Sequence, residues 1–129
     1  MRWRSKIGLL CLLAILLSGC GSQAEPQGYQ SITPEAAYEA LAEEGQTILL
    51  VDVRTQKEYE QKHIPGSLLL PLSDLKEQAE TVLEDKDAVI YVYCRSGSRS
   101  KQAAEQLVEM GYTQVFDLGG INSWPYETE

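Results

Sequence analysis

The sequence predicts an α/β fold, with a central and mainly parallel sheet flanked by helices. Two observations support this class. Short apolar runs alternate along the chain with segments of helical periodicity, as they do in βα repeats. The run at residues 48–51 is apolar without interruption, as expected for a strand that is buried on both faces of a parallel sheet.

Capping residues mark the first two helices. Thr33-Pro34-Glu35 combines an N-cap, a proline at the first helical position and an acid in the first turn, so a helix is expected from there to about Glu43, with Gly45 after its end. After the 48–51 strand, residues 55–58 (Thr-Gln-Lys-Glu) form a capping box that predicts a short helix to about Lys62.

The middle of the chain predicts two more strands around a third helix. Residues 68–70 are leucines that favour a strand, but Pro71 cannot donate to a sheet ladder, so this strand is expected to lie at an edge or to end there. A helix is predicted from about 73 to 83, and the apolar run 88–93 predicts a central strand.

The last elements are a helix and a short strand. From Ser98 or Arg99 to Met110, apolar residues share one helical face, and Gly111 marks the end of the helix. Residues 115–117 predict a final strand, after which Gly119-Gly120 is expected to be a loop. Loops at the carboxyl ends of parallel strands meet at one edge of the sheet, which is where ligands bind in such folds.

The N-terminal region differs from the rest of the chain. Three cations and no acid precede an apolar run at 7–17, which is short for a membrane span but typical of an export signal. The run ends at Leu17-Ser18-Gly19-Cys20, which resembles the lipobox of bacterial lipoproteins, a family in which the cysteine is acylated and becomes the first mature residue. An ordinary cleaved signal with an incidental cysteine and, less favoured, a retained core helix are the alternatives.

The lipobox resemblance implies a division of the chain into three parts. Residues 1–19 would be a lipoprotein signal peptide, residues 20–28 the lipidated Cys20 with a flexible tether, and residues 29–129 one folded domain. We therefore expect the mature protein to be anchored by lipid to the extracytoplasmic face of the cell membrane.

Charge and cysteine content restrict the possible functions. Without residues 1–19 the chain keeps eight basic residues against nineteen acidic ones, a formal net charge of −11. Such a surface does not favour nucleic acid as a partner. Cys94 would be the single cysteine of the folded domain, so no disulfide is expected within it and the free thiol requires another explanation.

The segment Cys94-Arg95-Ser96-Gly97-Ser98-Arg99-Ser100 is the strongest chemical signal in the sequence. It places a thiol where an apolar strand gives way to a helix that begins with small and cationic residues. Backbone N–H groups and the positive end of the helix would then point at the sulfur and favour the thiolate, which is the nucleophile. Cations in a first helical turn oppose the helix dipole, which is consistent with a pocket that attracts an anion.

At this point the chain resembles the rhodanese (sulfurtransferase) family, specifically its small single-domain members. The similarity covers residues 29–126 and rests on four segments in order. They are Asp52-Val53-Arg54, His63-Ile64-Pro65-Gly66-Ser67, Cys94 to Arg99, and Leu118-Gly119-Gly120-Ile121 with Trp124. The resemblance implies a rhodanese-like three-layer fold. It also implies that the cysteine takes a sulfane sulfur from an anionic donor such as thiosulfate and passes it to cyanide or a thiol.

The resemblance assigns expected roles to individual residues. Cys94 would be the nucleophile and persulfide carrier, with the N–H groups of residues 95–99 stabilising the charge on sulfur. Arg95 would recruit the donor, Ser96, Gly97 and Ser98 would complete the substrate-binding loop, and Arg99 would add positive potential and brace it.

Supporting residues are expected around that loop. Asp52 and Arg54 would support it or pair locally, and the i,i+4 spacing of Arg54 and Glu58 permits an ion pair. His63 is expected to be structural, and no cluster of metal ligands or nucleotide-binding glycine loop is found in the sequence. We therefore expect no cofactor and no metal. We also expect the protein to be a monomer.

Three other functions are less favoured. The loops of cysteine phosphatases and arsenate reductases resemble the pattern Cys-x5-Arg, in which five residues separate the cysteine from the arginine. Here four residues separate Cys94 from Arg99, so the loop is one residue shorter. A non-catalytic rhodanese-like docking or sulfur-binding module is the main alternative, although such modules generally lose the cysteine or the basic loop residues. A redox-sensor thiol would need a resolving cysteine from outside the domain.

Overall fold

The structure is a computed structural model that describes residues 28–129. Five strands and four helices alternate along this part of the chain. The strands are β1 (Tyr29–Ser31), β2 (Ile48–Asp52), β3 (Leu68–Leu69), β4 (Val89–Cys94) and β5 (Gln114–Gly120). The helices are α1 (Pro34–Ala42), α2 (Gln56–Gln61), α3 (Leu75–Val82) and α4 (Ser98–Glu109), with short 3-10 turns at Leu72–Asp74 and Ile121–Ser123.

The five strands form one parallel sheet in the order β1-β5-β4-β2-β3. This confirms the α/β class and the parallel sheet. The two-residue β3 lies at the edge, as Pro71 predicts, and β4 lies at the centre between β2 and β5. The carboxyl ends of β2, β4 and β5 therefore meet at one edge of the sheet.

Two hydrophobic clusters cover the two faces of the sheet. One contains the buried residues of α3 and α4, among them Leu75, Ala79 and Leu107, packed on Val51 and Val92. The other contains Ala37 of α1 with Ile64, Leu118 and Ile121, packed on Leu50 and Tyr93. Because β2 and β4 contribute to both clusters, their nearly continuous apolar sequences are explained by burial on both faces.

Two strands differ from the sequence-based expectation. β1 was not predicted, because three residues are too few to show a period of two; it pairs with β5. β5 is also longer than the predicted 115–117 and extends through Gly119 and Gly120, which pair with Tyr93 and Cys94 after a register shift. Glycines usually interrupt strands, but here they mark a bulge beside a close backbone approach.

The predicted signal peptide, the lipidated Cys20 and the tether up to residue 27 lie outside the described residues. None of the helices between residues 28 and 129 combines the length and the apolar character that a membrane span requires. The same residues contain no group of three or more histidine, cysteine or acidic side chains that could hold a metal ion.

Candidate active site

Cys94 is the last residue of the central strand and stands at the edge where three strands end. It is a free thiol, and only 1% of its surface is exposed. On one side Tyr93 pairs with Asp52 at the end of β2, and on the other Cys94 itself pairs with Gly120 at the end of β5. The topology thus places the thiol where the sequence predicted that the loops converge.

The chain turns around the sulfur between β4 and α4. The backbone N–H of Gly97 donates a hydrogen bond to Cys94 Sγ, with the nitrogen 3.0 Å from the sulfur. Gly97 has a φ of 112°, in the region that side chains make costly, and it is the N-cap of α4. The glycine therefore lets the loop close while the twelve-residue helix directs its positive end towards the thiol.

Opposing effects determine the pKa of the Cys94 thiol. Burial raises the pKa, but hydrogen bonds from the Ser100 hydroxyl and from the N–H groups of Ser100, Gly97 and Ser96 lower it, and the net pKa lies below its ordinary value. The fully buried Ser100 hydroxyl also donates to the carbonyl oxygen of Gly97 at 3.1 Å, so its single proton is shared between this oxygen and the sulfur. Ser100 is the residue that the sequence-based set of site residues omitted.

The end of β5 supports the loop from behind. A Cβ atom on Gly120 would collide with the carbonyl oxygen of Arg95 and the Cα of Ser96, so only glycine permits this approach. Two residues later, the N–H of Asn122 donates to the Arg95 carbonyl at 3.1 Å. Gly120 and Asn122 therefore fix the first half of the loop against the sheet.

Arg99 is held by an acid from another element. Its Nη1 and Nη2 atoms donate to the two carboxylate oxygens of Glu58 on α2, at 2.7 and 2.8 Å. The hydrogen bonds from Arg99, with further ones from Thr55, lower the pKa of Glu58 to about 2. Arg99 thus ties the start of α4 to α2, and the carboxylate offsets the positive potential that Arg99 was expected to add.

The possible Arg54–Glu58 pair is not formed. Thr55 is the N-cap of α2, so Arg54 lies outside the helix and the i,i+4 geometry does not apply. Arg54 instead forms a buried bidentate pair with Asp52, with distances of 2.9 Å from Nε to Oδ1 and 2.7 Å from Nη2 to Oδ2. Its Nη2 also donates to the carbonyl of Lys62 at 2.7 Å, which ties the end of β2 to the end of α2.

The motif at residues 63–67 is anchored to the sheet below the site. The hydroxyl of Tyr93 accepts from the Ile64 N–H at 3.1 Å and lies 2.9 Å from Ser67 Oγ. His63 stacks on Tyr59, with ring centroids 3.8 Å apart, and its Nδ1 lies 2.9 Å from the Tyr59 carbonyl. These contacts agree with the structural role expected for His63.

The remaining loop residues face solvent. Arg95, Ser96 and Ser98 are exposed, and across residues 28–129 the Ser98 side chain makes no hydrogen bond. Arg95 lines a polar pocket of about 230 Å³ with Lys62, Asn122 and others. Of the backbone N–H groups expected to face the sulfur, that of Gly97 donates to it at 3.0 Å, and those of Ser96 and Gly97, together with that of Ser100, lower the pKa of the thiol.

Comparison with known proteins agrees with this geometry. Residues 33–126 match the family described as the Rhodanese-like domain. The thiosulfate sulfurtransferase PspE of Escherichia coli is 44% identical over 71 residues, which are 55% of this chain and 68% of PspE. The thiosulfate sulfurtransferase GlpE of Coxiella burnetii is 36% identical over 97 residues, which are 74% of this chain and 87% of GlpE.

A solved structure described as rhodanese with anions from E. coli has the same fold. It superimposes with a TM-score of 0.61 at 37% identity, and the match covers 64% of this chain and 98% of that one. Sequence and fold therefore point to the same group of proteins.

Proposed function

Because this chain belongs to the rhodanese-like domain family, we propose that it is a sulfurtransferase that carries sulfane sulfur as a persulfide on Cys94. The donor would be an anion such as thiosulfate, and the acceptor cyanide or a thiol. The observation that carries this proposal is the Cys94 sulfur, with its lowered pKa, at the base of a loop whose Gly97 N–H donates to it at 3.0 Å. Two relatives named as thiosulfate sulfurtransferases support it further.

In the first half-reaction, the Cys94 thiolate attacks the sulfane sulfur of thiosulfate. A new S–S bond forms on Cys94, the S–S bond of thiosulfate breaks, and sulfite leaves with the electron pair. No proton has to be removed from a nucleophile that is already ionised, so no general base is required. This agrees with the position of His63, whose ring contacts Tyr59.

In the second half-reaction, the acceptor attacks the outer sulfur of the persulfide. With cyanide, thiocyanate is formed and the Cys94 thiolate leaves as the displaced group. The same N–H groups of Ser96, Gly97 and Ser100 stabilise the negative charge in both steps, as the donors of an oxyanion hole do for oxygen. A preorganised set of donors of this kind needs no reorganisation between the half-reactions.

The site suits phosphate or arsenate chemistry less well. The loop is one residue shorter than Cys-x5-Arg, and both outer nitrogens of Arg99 are bound to Glu58. A phosphatase needs that arginine to hold the oxyanion, so the pairing favours transfer of a smaller, sulfur-centred group.

The test is the intact mass of the purified protein before and after thiosulfate. We expect a gain of one sulfur atom, located on Cys94, that cyanide removes with formation of thiocyanate. The Cys94→Ser variant should fold and show no gain. A wild-type protein that gains no sulfur would instead be a docking module, and hydrolysis of a phosphate ester that depends on Cys94 would indicate a phosphatase.

We propose that the protein acts from a lipid anchor at Cys20 on the extracytoplasmic face of the cell membrane. The support is the sequence of residues 1–20, with cations, an apolar run and the lipobox in that order. The tether to residue 28 would hold the domain close to the membrane surface.

A further inference from the structure

We propose that the pocket between Lys62 and Arg95 binds the anionic end of the sulfur donor and so selects donors by their charge. This inference rests on the proposed function and names the substrate class of the same site. It adds Lys62, which no motif in the sequence indicated, as a residue that determines donor specificity.

The pocket lies against the residues on either side of the thiol in the fold. It has a volume of about 230 Å³ and is lined by seven residues: Arg54, Glu58, Gln61, Lys62, Arg95, Ile121 and Asn122. Arg95 follows Cys94 in the chain, and Ile121 follows Gly120, the partner of Cys94 in the sheet. The proposal therefore places the charged end of a bound donor in this pocket and its terminal sulfur towards Cys94.

The positive charge of the pocket comes from two residues. The charge of Arg54 is offset by Asp52, and that of Glu58 by Arg99. Lys62 and Arg95 are exposed and form no ion pair within the part of the chain that the structure describes. They leave two positive charges in excess at the mouth of the site.

Neighbouring groups position these two cations and add uncharged donors. The carbonyl of Lys62 accepts from Arg54 and its N–H donates to the Glu58 carbonyl, while the carbonyl of Arg95 accepts from Asn122 N–H. The side-chain amide of Asn122 makes no hydrogen bond to the described residues and is available to an oxygen of the ligand. The backbones of Lys62 and Arg95 are thus held in place while the polar ends of their side chains can bind the oxygens of a sulfonate-like group.

The acidity of the whole protein makes this pocket selective. A mature chain with a formal net charge of −11 repels anions over most of its surface, so a local cationic site beside the thiol determines where a dianion can bind. The doubly charged thiosulfate should depend on that site more than a singly charged donor does.

The experiment compares Lys62→Gln with the wild type, using thiosulfate and the monoanion benzenethiosulfonate as donors and cyanide as acceptor. We expect the KM for thiosulfate to rise about twofold to fivefold, the range for losing an exposed charge contact. The kcat should be unchanged, because the charge stays in the pocket on the departing sulfite and binding is lost equally in both states. The KM for benzenethiosulfonate should rise less.

The matched control is Lys57→Gln, which removes the same charge from α2, the helix that Lys62 caps, but lies outside the pocket. It should leave both KM values at the wild-type level. Equal changes in the KM for thiosulfate in the two variants, or none in Lys62→Gln, would overturn the assignment and leave the sulfurtransferase function intact.

A binding measurement separates this inference from the proposed function. Calorimetric titration of Cys94→Ser with thiosulfate should show binding that Lys62→Gln weakens in the same background. If that binding is found but the wild type never gains sulfur, the anion pocket is supported and sulfur transfer is overturned. If thiosulfate does not bind and no sulfur is gained, both are overturned.

Discussion

At the scale of single residues, the reactivity of Cys94 results from competition between burial and hydrogen bonding. A thiol that is 1% exposed should resist ionisation, yet donors from Ser100, Gly97 and Ser96 more than compensate. Only the Ser100 hydroxyl belongs to a side chain, so it is the donor that a substitution can remove.

Replacing Ser100 with alanine should raise the pKa of the Cys94 thiol, because its hydroxyl is the largest of the effects that lower it. We expect alkylation of Cys94 at pH 7 to slow by about three- to tenfold, which corresponds to loss of one hydrogen bond worth about 1 kcal/mol. Site-resolved mass spectrometry of iodoacetamide labelling measures this rate. Ser98→Ala, at an exposed position of the same loop, should react like the wild type; equal slowing in both variants would contradict the role of Ser100.

Because of the Glu58–Arg99 ion pair, the free energy of unfolding should decrease as the pH is lowered into the acid range. The pKa of Glu58 is lowered to about 2 in the fold, so its contribution is complete above the unfolded value near 4.5 and is lost as the pH falls towards 2. We expect Glu58→Gln to lower the free energy of unfolding by about 2 kcal/mol at pH 7, with partial exposure of the pair taken into account.

Urea unfolding at several pH values checks this expectation. The difference between wild type and Glu58→Gln should shrink as the pH is lowered from 5 to 2. Glu60→Gln, on the same helix but without a contact to Arg99, serves as the control for lost charge. A constant difference across this range would show that the ion pair does not stabilise the fold.

At the scale of elements, the site depends on how closely the β4–α4 loop packs against the end of β5. Gly119 and Gly120 were expected in a loop, because from sequence alone adjacent glycines indicate an interruption. In the fold they extend the strand, and Gly120 leaves the space that the backbone of Arg95 and Ser96 occupies. The loop geometry is therefore determined partly by a strand that is distant in sequence.

Gly120→Ala should displace the loop and reduce sulfur transfer. The added methyl group would collide with backbone atoms, which cannot move like a flexible side chain, at a cost of about 1–3 kcal/mol. Gly119→Ala should cost about 1–2 kcal/mol through its positive φ of 86° but meets no atom within 4 Å. Thermal unfolding and thiocyanate formation measure the two effects; an active Gly120→Ala variant would contradict the packing argument.

The sequence predicted the features that depend on neighbouring residues and missed those that depend on contacts between elements. Local signals predicted the helix caps, the edge position of β3 and the strand that ends at the thiol, because each depends on neighbouring residues. The pairing of Glu58 with Arg99 spans 41 positions, and Lys62 reaches the site through the Arg54 contact, so only the fold reveals them. The i,i+4 spacing of Arg54 and Glu58 was misleading, because Arg54 precedes the helix.

At the scale of the whole molecule, an acidic protein carries one small cationic pocket, formed by Lys62 and Arg95, near its thiol. The same acidity would keep the domain away from anionic lipid surfaces, so attachment to a membrane needs the covalent anchor proposed at Cys20. Catalytic site and anchor would then be independent parts of the chain, joined by the tether.

The anchor predicts the mass of the mature protein. After expression in a bacterial host, the chain should begin at Cys20 and carry acyl groups, and it should be recovered in the membrane fraction. Cys20→Ala should abolish acylation while leaving sulfur transfer by the domain unchanged. Recovery of the unmodified wild-type protein in a soluble extracellular fraction would contradict the lipoprotein assignment.

The account depends most on the ionisation of Cys94 in the free protein. The direct measurement is the rate of Cys94 alkylation as a function of pH, with the label located by mass spectrometry. We predict that the rate reaches half its maximum at a pH clearly below about 8.5, the usual pKa of a cysteine thiol. A midpoint at or above that value would show that burial outweighs the hydrogen bonds and would contradict the proposed mechanism.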